Sequence, residues 1–174
     1  MQEVLCPQVG ASFSGQTYLF WKRLISLKQY CFRNTDMDSL DKLIANANDG
    51  TLLHKLTLEQ KDIHYALDQR DHPSFDNKWM KASHAVDTLK GSAADADARV
   101  AQLRKILYLQ SMERWESPDL AACISDDFGL IGDALITQYQ NPWLNGLLLA
   151  YLSSRFPTGE LQETPGLLED AFKA

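Results

Sequence analysis

Leu120, Ile124, Phe128, Ile131, Leu135 and Tyr139 recur at spacings of three and four, which places all of them on one face of a helix. A strand would need a period of two, and no alternating apolar and polar run occurs anywhere in the chain. Ser117-Pro118 opens this stretch with a capping residue ahead of a proline at the first helical position, where proline's missing N–H costs nothing. Asn141-Pro142 repeats the device and starts a further helix. Asp126-Asp127 and Gly129 are the points at which the first of these helices is open to a split or kink.

The same spacing runs through the rest of the chain. Phe20, Trp21, Leu24, Leu27 and Cys31 predict a helix over about 17–33, ended by Asn34-Thr35-Asp36. Thr35 or Asp36 caps a second helix carrying Met37, Leu40, Leu43, Ile44 and Ala47, and Asn48-Asp49-Gly50 closes it. After a short turn, TLLHKL, Thr57 and Gln60 have capping-box spacing, so a helix is expected over about 58–70, with a thin apolar face, before Asp71-His72-Pro73. Phe75, Trp79, Ala82, Val86 and Leu89 make a strong stripe up to Gly91. Val100, Leu103, Ile106, Leu107 and Leu109 mark a helix over about 93–115, expected to pair with its predecessor as an antiparallel hairpin around Gly91-Ser92. A short helix follows Thr164-Pro165. Residues 1–16 lack periodicity and read as an irregular arm; residues 17–174 read as one all-α domain. The architecture expected is an antiparallel helical bundle or compact helical array of about seven to eight helices, with no self-similarity at the tetratricopeptide period.

A chain of 174 residues with 45% hydrophobic and 23% charged content can bury a core that offsets its ordering entropy. Cys6, Cys31 and Cys123 are an odd number, far apart and without a CxxC pair, which argues against a disulfide framework and a zinc knuckle. Cys31 and Cys123 fall on apolar faces and read as small hydrophobes. A reducing cytoplasm is the expected location, since the first fifteen residues have neither a basic segment nor an apolar core of signal-peptide type. The longest apolar run, 143–152, is about half the length of a membrane span.

No GxGxxG loop, GxxxxGK[ST] cradle, HExxH helix, GxSxG elbow or Glu-x-x-His pair occurs, and no cofactor or metal is called for. His64, His72 and His84, with Asp68, Asp71, Asp76 and Asp87, are the one constellation of residue types suited to acid–base or metal chemistry, and they carry the alternative of a hydrolase. Their spacing favours surface histidines near helix ends instead, because His64 and His72 stand eight apart across a proline break.

Charge is the more telling feature. Residues 115–174 hold nine acids and two bases, a net of −7, whereas the first 114 hold fourteen acids and fifteen bases, a net of +1. A one-signed surface serves solubility or the steering of an oppositely charged partner, and it argues against nucleic-acid binding. The preferred expectation is therefore a non-enzymatic acidic binding protein that neutralises a basic protein partner such as a toxin or nuclease, in the manner of immunity proteins. Its docking residues would be Glu116, Asp119, Asp126, Asp127 and Asp133, with Trp115, Tyr139 and Trp143 as apolar anchors. Reversing Asp126 and Asp127 together is expected to slow association and leave helicity unchanged. A further alternative is a structural or adaptor protein that self-associates, as a homo-oligomer, through an exposed apolar face of the Pro142 helix.

Overall fold

The computed structural model describes residues 39–90 and 94–172. The arm expected over 1–16, the helix expected over 17–33 and the turn at Gly91-Ser92 lie outside the described residues. Among the described residues the chain is all-α, as its periodicity requires. The helices are α1 (39–48), α2 (Thr51–His54), α3 (Ile63–Arg70), α4 (Pro73–Leu89), α5 (Ala94–Trp115), α6 (Pro118–Thr137) and α7 (Pro142–Leu152), with 3-10 turns at Gln60–Asp62 and Leu168–Phe172.

The caps at Ser117 and Asn141 form as the sequence prescribes, and the cap expected at Thr35 or Asp36 lies outside the described residues. The Ser117 side chain accepts a hydrogen bond from the Leu120 N–H, and Asn141 Oδ1 accepts from the N–H groups of Trp143 and Leu144. Gly50, at φ 78°, closes α1 in the left-handed conformation. Helix α6 runs without a break through Asp126, Asp127 and Gly129. It is the centre of the fold, with Leu120, Ile124, Phe128, Ile131 and Leu135 all buried.

Three expectations are corrected. Helix α5 packs most extensively against α6, reached through the two-residue connection Glu116-Ser117, and α4 also rests on α6; the hairpin expected between α4 and α5 is replaced by shared packing on a central helix. Glycines permit the close approach, because a Cβ at Gly132 would crowd the Val100 side chain of α5. Thr57 does not cap a helix: it forms an isolated bridge with Arg155, its N–H and hydroxyl both donating to the Ser154 carbonyl, so regular α-helix starts only at Ile63. Helix α7 presents no exposed apolar face for self-association, since Trp143, Leu144, Gly146, Leu147, Leu148, Ala150 and Tyr151 are buried. A helix apolar all round belongs in an interior. The C-terminal segment covers part of it: Thr164 N–H donates to the Pro142 carbonyl, and Asn145 Nδ2 donates to the carbonyls of Thr164 and Gly166. No helix among the described residues is long and apolar enough to cross a membrane.

Candidate functional site: a buried charge centre beneath an acidic groove

Helix α3 buries Ile63, Ala66 and Arg70, one stripe at i, i+3 and i+7, so Arg70 occupies an apolar position at the end of that stripe. Its guanidinium, only 8% exposed, meets the fully buried carboxylate of Asp127 on α6, with Nη2 donating to Oδ1 at 2.7 Å. Trp79 Nε1 of α4 donates to the same oxygen at 2.9 Å, and the Tyr151 hydroxyl of α7 donates to Oδ2 at 2.7 Å. One carboxylate thus gathers donors from three other helices. Arg70 Nη1 reaches further, to the Pro157 carbonyl at 3.1 Å, and the guanidinium carbon sits 4.3 Å from the Phe75 ring centroid and 5.4 Å from that of Phe156.

Electrostatics follow from this pairing. Burial is the strongest single influence on Arg70 and works to lower its pKa, but the Asp127 carboxylate, through its charge and its hydrogen bond, and Tyr151 beside it together outweigh burial, so the guanidinium is held above its ordinary value and stays charged. Burial, reinforced by Asp127, pushes the Tyr151 phenol well above its ordinary range and keeps it protonated as a donor. A buried charge left without such partners would cost several kcal/mol, roughly 3–5 when one member of a pair is removed.

Above this centre lies a groove of about 420 Å³ between α3, α4 and the first half of α6. Leu67, Phe75, Trp79 and Cys123 form its apolar lining. Asp68 and Asp71 line it from the end of α3, Asp76 from the start of α4, and Asp119 and Asp126 from α6; His64 stands beside them. Asp126 is paired with Arg104 of α5, while Asp68, Asp71, Asp76 and Asp119 are exposed and have no ion-pair partner among the described residues. Burial raises the Cys123 thiol pKa; Arg70 partly opposes this, and Asp127, Asp126 and Asp71 add to the rise.

The residues singled out for docking are dispersed. Asp119 and Asp126 line the groove. Glu116 is exposed at the turn between α5 and α6, in the left-handed conformation at φ 49°. Asp133 pairs at 2.9 Å with Lys90, itself 3.3 Å from Asp97, and Tyr139 is partly buried with its hydroxyl accepting from Asn141 Nδ2. The remaining three are interior and so removed from any docking surface. Asp127 is the centre of the buried cluster. Trp115, 4% exposed, donates through Nε1 to the Leu58 carbonyl and holds the segment after α2. Trp143, 3% exposed, packs edge-on against Phe75 at 5.2 Å.

The histidines do not converge. Of the three, His64 alone lines the groove, His72 caps α4 by accepting from the Ser74 N–H, and His84 is exposed farther along α4. Among the described residues no group of three or more His, Cys, Asp or Glu is arranged to hold a metal ion. Arg70 is a functional residue that motif spacing and charge counts alone do not single out. Its signal was available, a charged residue in phase with Ile63 and Ala66, as Asp127 is in phase with Ile124 and Ile131 on α6.

Fold and groove define an all-α protein with an acidic recess set among three helices over a neutralised ionic centre. The model of the family described as Immunity protein PIM1 matches residues 42–158, which is 117 of the 174 residues, and the chain belongs to that family. The matched span contains both the buried centre and the groove. No curated protein matches the chain.

Proposed function

We propose that this chain is a non-enzymatic immunity protein of the cytoplasm that binds and neutralises a basic protein partner, a toxin or nuclease, through the acidic groove. What carries this reading is the set of four exposed aspartates, Asp68, Asp71, Asp76 and Asp119, brought from three helices to one recess and without an ion-pair partner among the described residues. Family membership supports the protective role. A nuclease has to be basic around its phosphate site, so it offers such a recess a complementary surface, and charge complementarity speeds association and rejects wrong partners.

The docking residues are then Asp119 and Asp126, with Asp68, Asp71 and Asp76 added from α3 and α4. Capture from the native source at low salt, release at high salt and mass spectrometry would identify the partner, and the pair would be reconstituted from purified proteins. The expected result is a basic protein held at near-equal stoichiometry. Association should slow, and its salt dependence flatten, when Asp68→Lys and Asp119→Lys are combined. Binding indifferent to salt and to both substitutions would remove the groove from the function.

A further inference from the structure

We propose that the groove is a socket for one arginine side chain of the protein partner, an inference that rests on the partner-binding reading above. The recess has an apolar floor and an acidic rim, the combination suited to a side chain with an aliphatic stem and a flat cationic end. The one cation in its lining that could repel such a guest, Arg70, is already neutralised by Asp127. Burial raises the Cys123 thiol at the groove wall, and Asp127, Asp126 and Asp71 add to that rise against the opposing Arg70, as a negatively charged recess would.

Arginine fits better than lysine for a geometric reason. The carboxylates, without ion-pair partners among the described residues, are presented from three different helices, and a planar guanidinium with five N–H donors in a fixed fork has the means to engage more than one of them. An ammonium is a compact, strongly hydrated point charge that satisfies one carboxylate well and loses more hydration on entry. The Trp79 ring, its N–H already engaged by Asp127, also supplies a surface on which a guanidinium stacks.

Two exposed apolar residues stand in helical register with rim aspartates. Tyr65, 67% exposed, lies three residues before Asp68 on α3, and Met80, 56% exposed, lies four residues after Asp76 on α4. Helical spacing puts each beside its aspartate. Apolar side chains beside a charged anchor would help to exclude water from it once a partner docks.

The test titrates the peptide Ac-Gly-Arg-Gly-NH2, and its lysine counterpart, into the isotope-labelled full chain at low salt and follows backbone and indole N–H signals. The arginine peptide should give saturable shifts at the Trp79 indole and at residues 64–76 and 119–126, with weaker binding of the lysine peptide. Asp68→Asn combined with Asp119→Asn, both exposed and unpaired, should keep the spectrum elsewhere and weaken binding about fivefold, from about 0.5 kcal/mol for each exposed ion pair. Shifts that are absent, centred elsewhere, equal for the two peptides or unchanged in the double variant overturn the socket. Capture of a basic protein that survives this double variant, with no peptide bound, sinks the socket and leaves the partner-binding reading standing. Peptide binding as described, with no basic protein recovered, supports the socket and counts against that reading.

Discussion

Replacing Asp127 by asparagine keeps the shape of the side chain and removes one charge, which isolates the electrostatic part of the buried centre. The substituted amide would still accept from Arg70 and Trp79 through its remaining oxygen, and its NH2 group would face the Tyr151 hydroxyl, which would turn to accept. The hydrogen-bond count is therefore nearly preserved. What is lost is the anion that balances an Arg70 guanidinium only 8% exposed, along with the charge-assisted strength of three bonds. Uncompensated buried charge costs roughly 3–5 kcal/mol, a large share of the 5–15 kcal/mol by which typical domains are stable. For a chain of this size the melting temperature should fall by about 6–20 °C. Urea unfolding followed by circular dichroism measures the loss directly.

Arg70→Met removes the other charge, and combining it with Asp127→Asn leaves an uncharged centre with Trp79 and Tyr151 still hydrogen-bonded. The double variant should be more stable than the sum of the single losses predicts, by about 2–3 kcal/mol of coupling. A loss below about 1 kcal/mol for Asp127→Asn, or a coupling near zero, would mean that the pair is effectively solvated and that the four helices are held by packing alone.

Other perturbations test separate parts of the structure. The Tyr151 phenol has its folded pKa raised above 10.0, so the folded state binds more protons than the unfolded one above that pH; stability should be intact below pH 10 and fall as pH rises past it, and Tyr151→Phe should blunt that fall in alkaline unfolding. Gly146→Ala would drive a methyl group into the Gln162 backbone carbonyl, and a loss of about 1–3 kcal/mol in urea unfolding is expected as the C-terminal segment lifts from α7. Asn141→Ala removes an acceptor for two N–H groups at the start of α7 and should cost about 1 kcal/mol by the same measurement. In a variant retaining only Cys123, maleimide labelling at neutral pH should be slower than that of a free cysteine, because burial and the nearby aspartates disfavour the thiolate.

The helical elements were legible wherever local chemistry decides them. Ser117 and Asn141 cap because their oxygens satisfy N–H groups two or three residues on, and Gly50 ends α1 because it tolerates positive φ; neither depends on the rest of the molecule. Pairing was less legible, because periodicity names an apolar face without naming what covers it. Helix α5 has α4 before it and α6 after it, and the choice lies in glycines of α6 that admit the Val100 and Arg104 side chains. Thr57 shows the same limit from the other side. Its capping-box spacing is genuine, but its N–H and hydroxyl are taken by the Ser154 carbonyl, 97 residues away. The burial of α7 could have been read from a helix apolar all round, which leaves no polar stripe for solvent.

Folding divides the acidic last third of the chain among several surfaces. Asp126, Asp127, Asp133 and Glu163 each pair with a base from the first 114 residues, respectively Arg104, Arg70, Lys90 and Lys78. Sequence bookkeeping places these charges on either side of a boundary at residue 115, whereas the fold sets them side by side, so the −7 of residues 115–174 overstates the field on any one face. The unpaired negative charge instead collects where α3 ends, α4 begins and α6 begins, and three of its four aspartates, Asp68, Asp71 and Asp76, come from the part of the chain that is nearly neutral overall. A docking face built this way depends on the buried centre beneath it. Arg70 and Asp127 hold together the three helices that carry the rim, so loosening that pair should spread the aspartates and weaken the proposed partner binding even though the Asp127 carboxylate is fully buried.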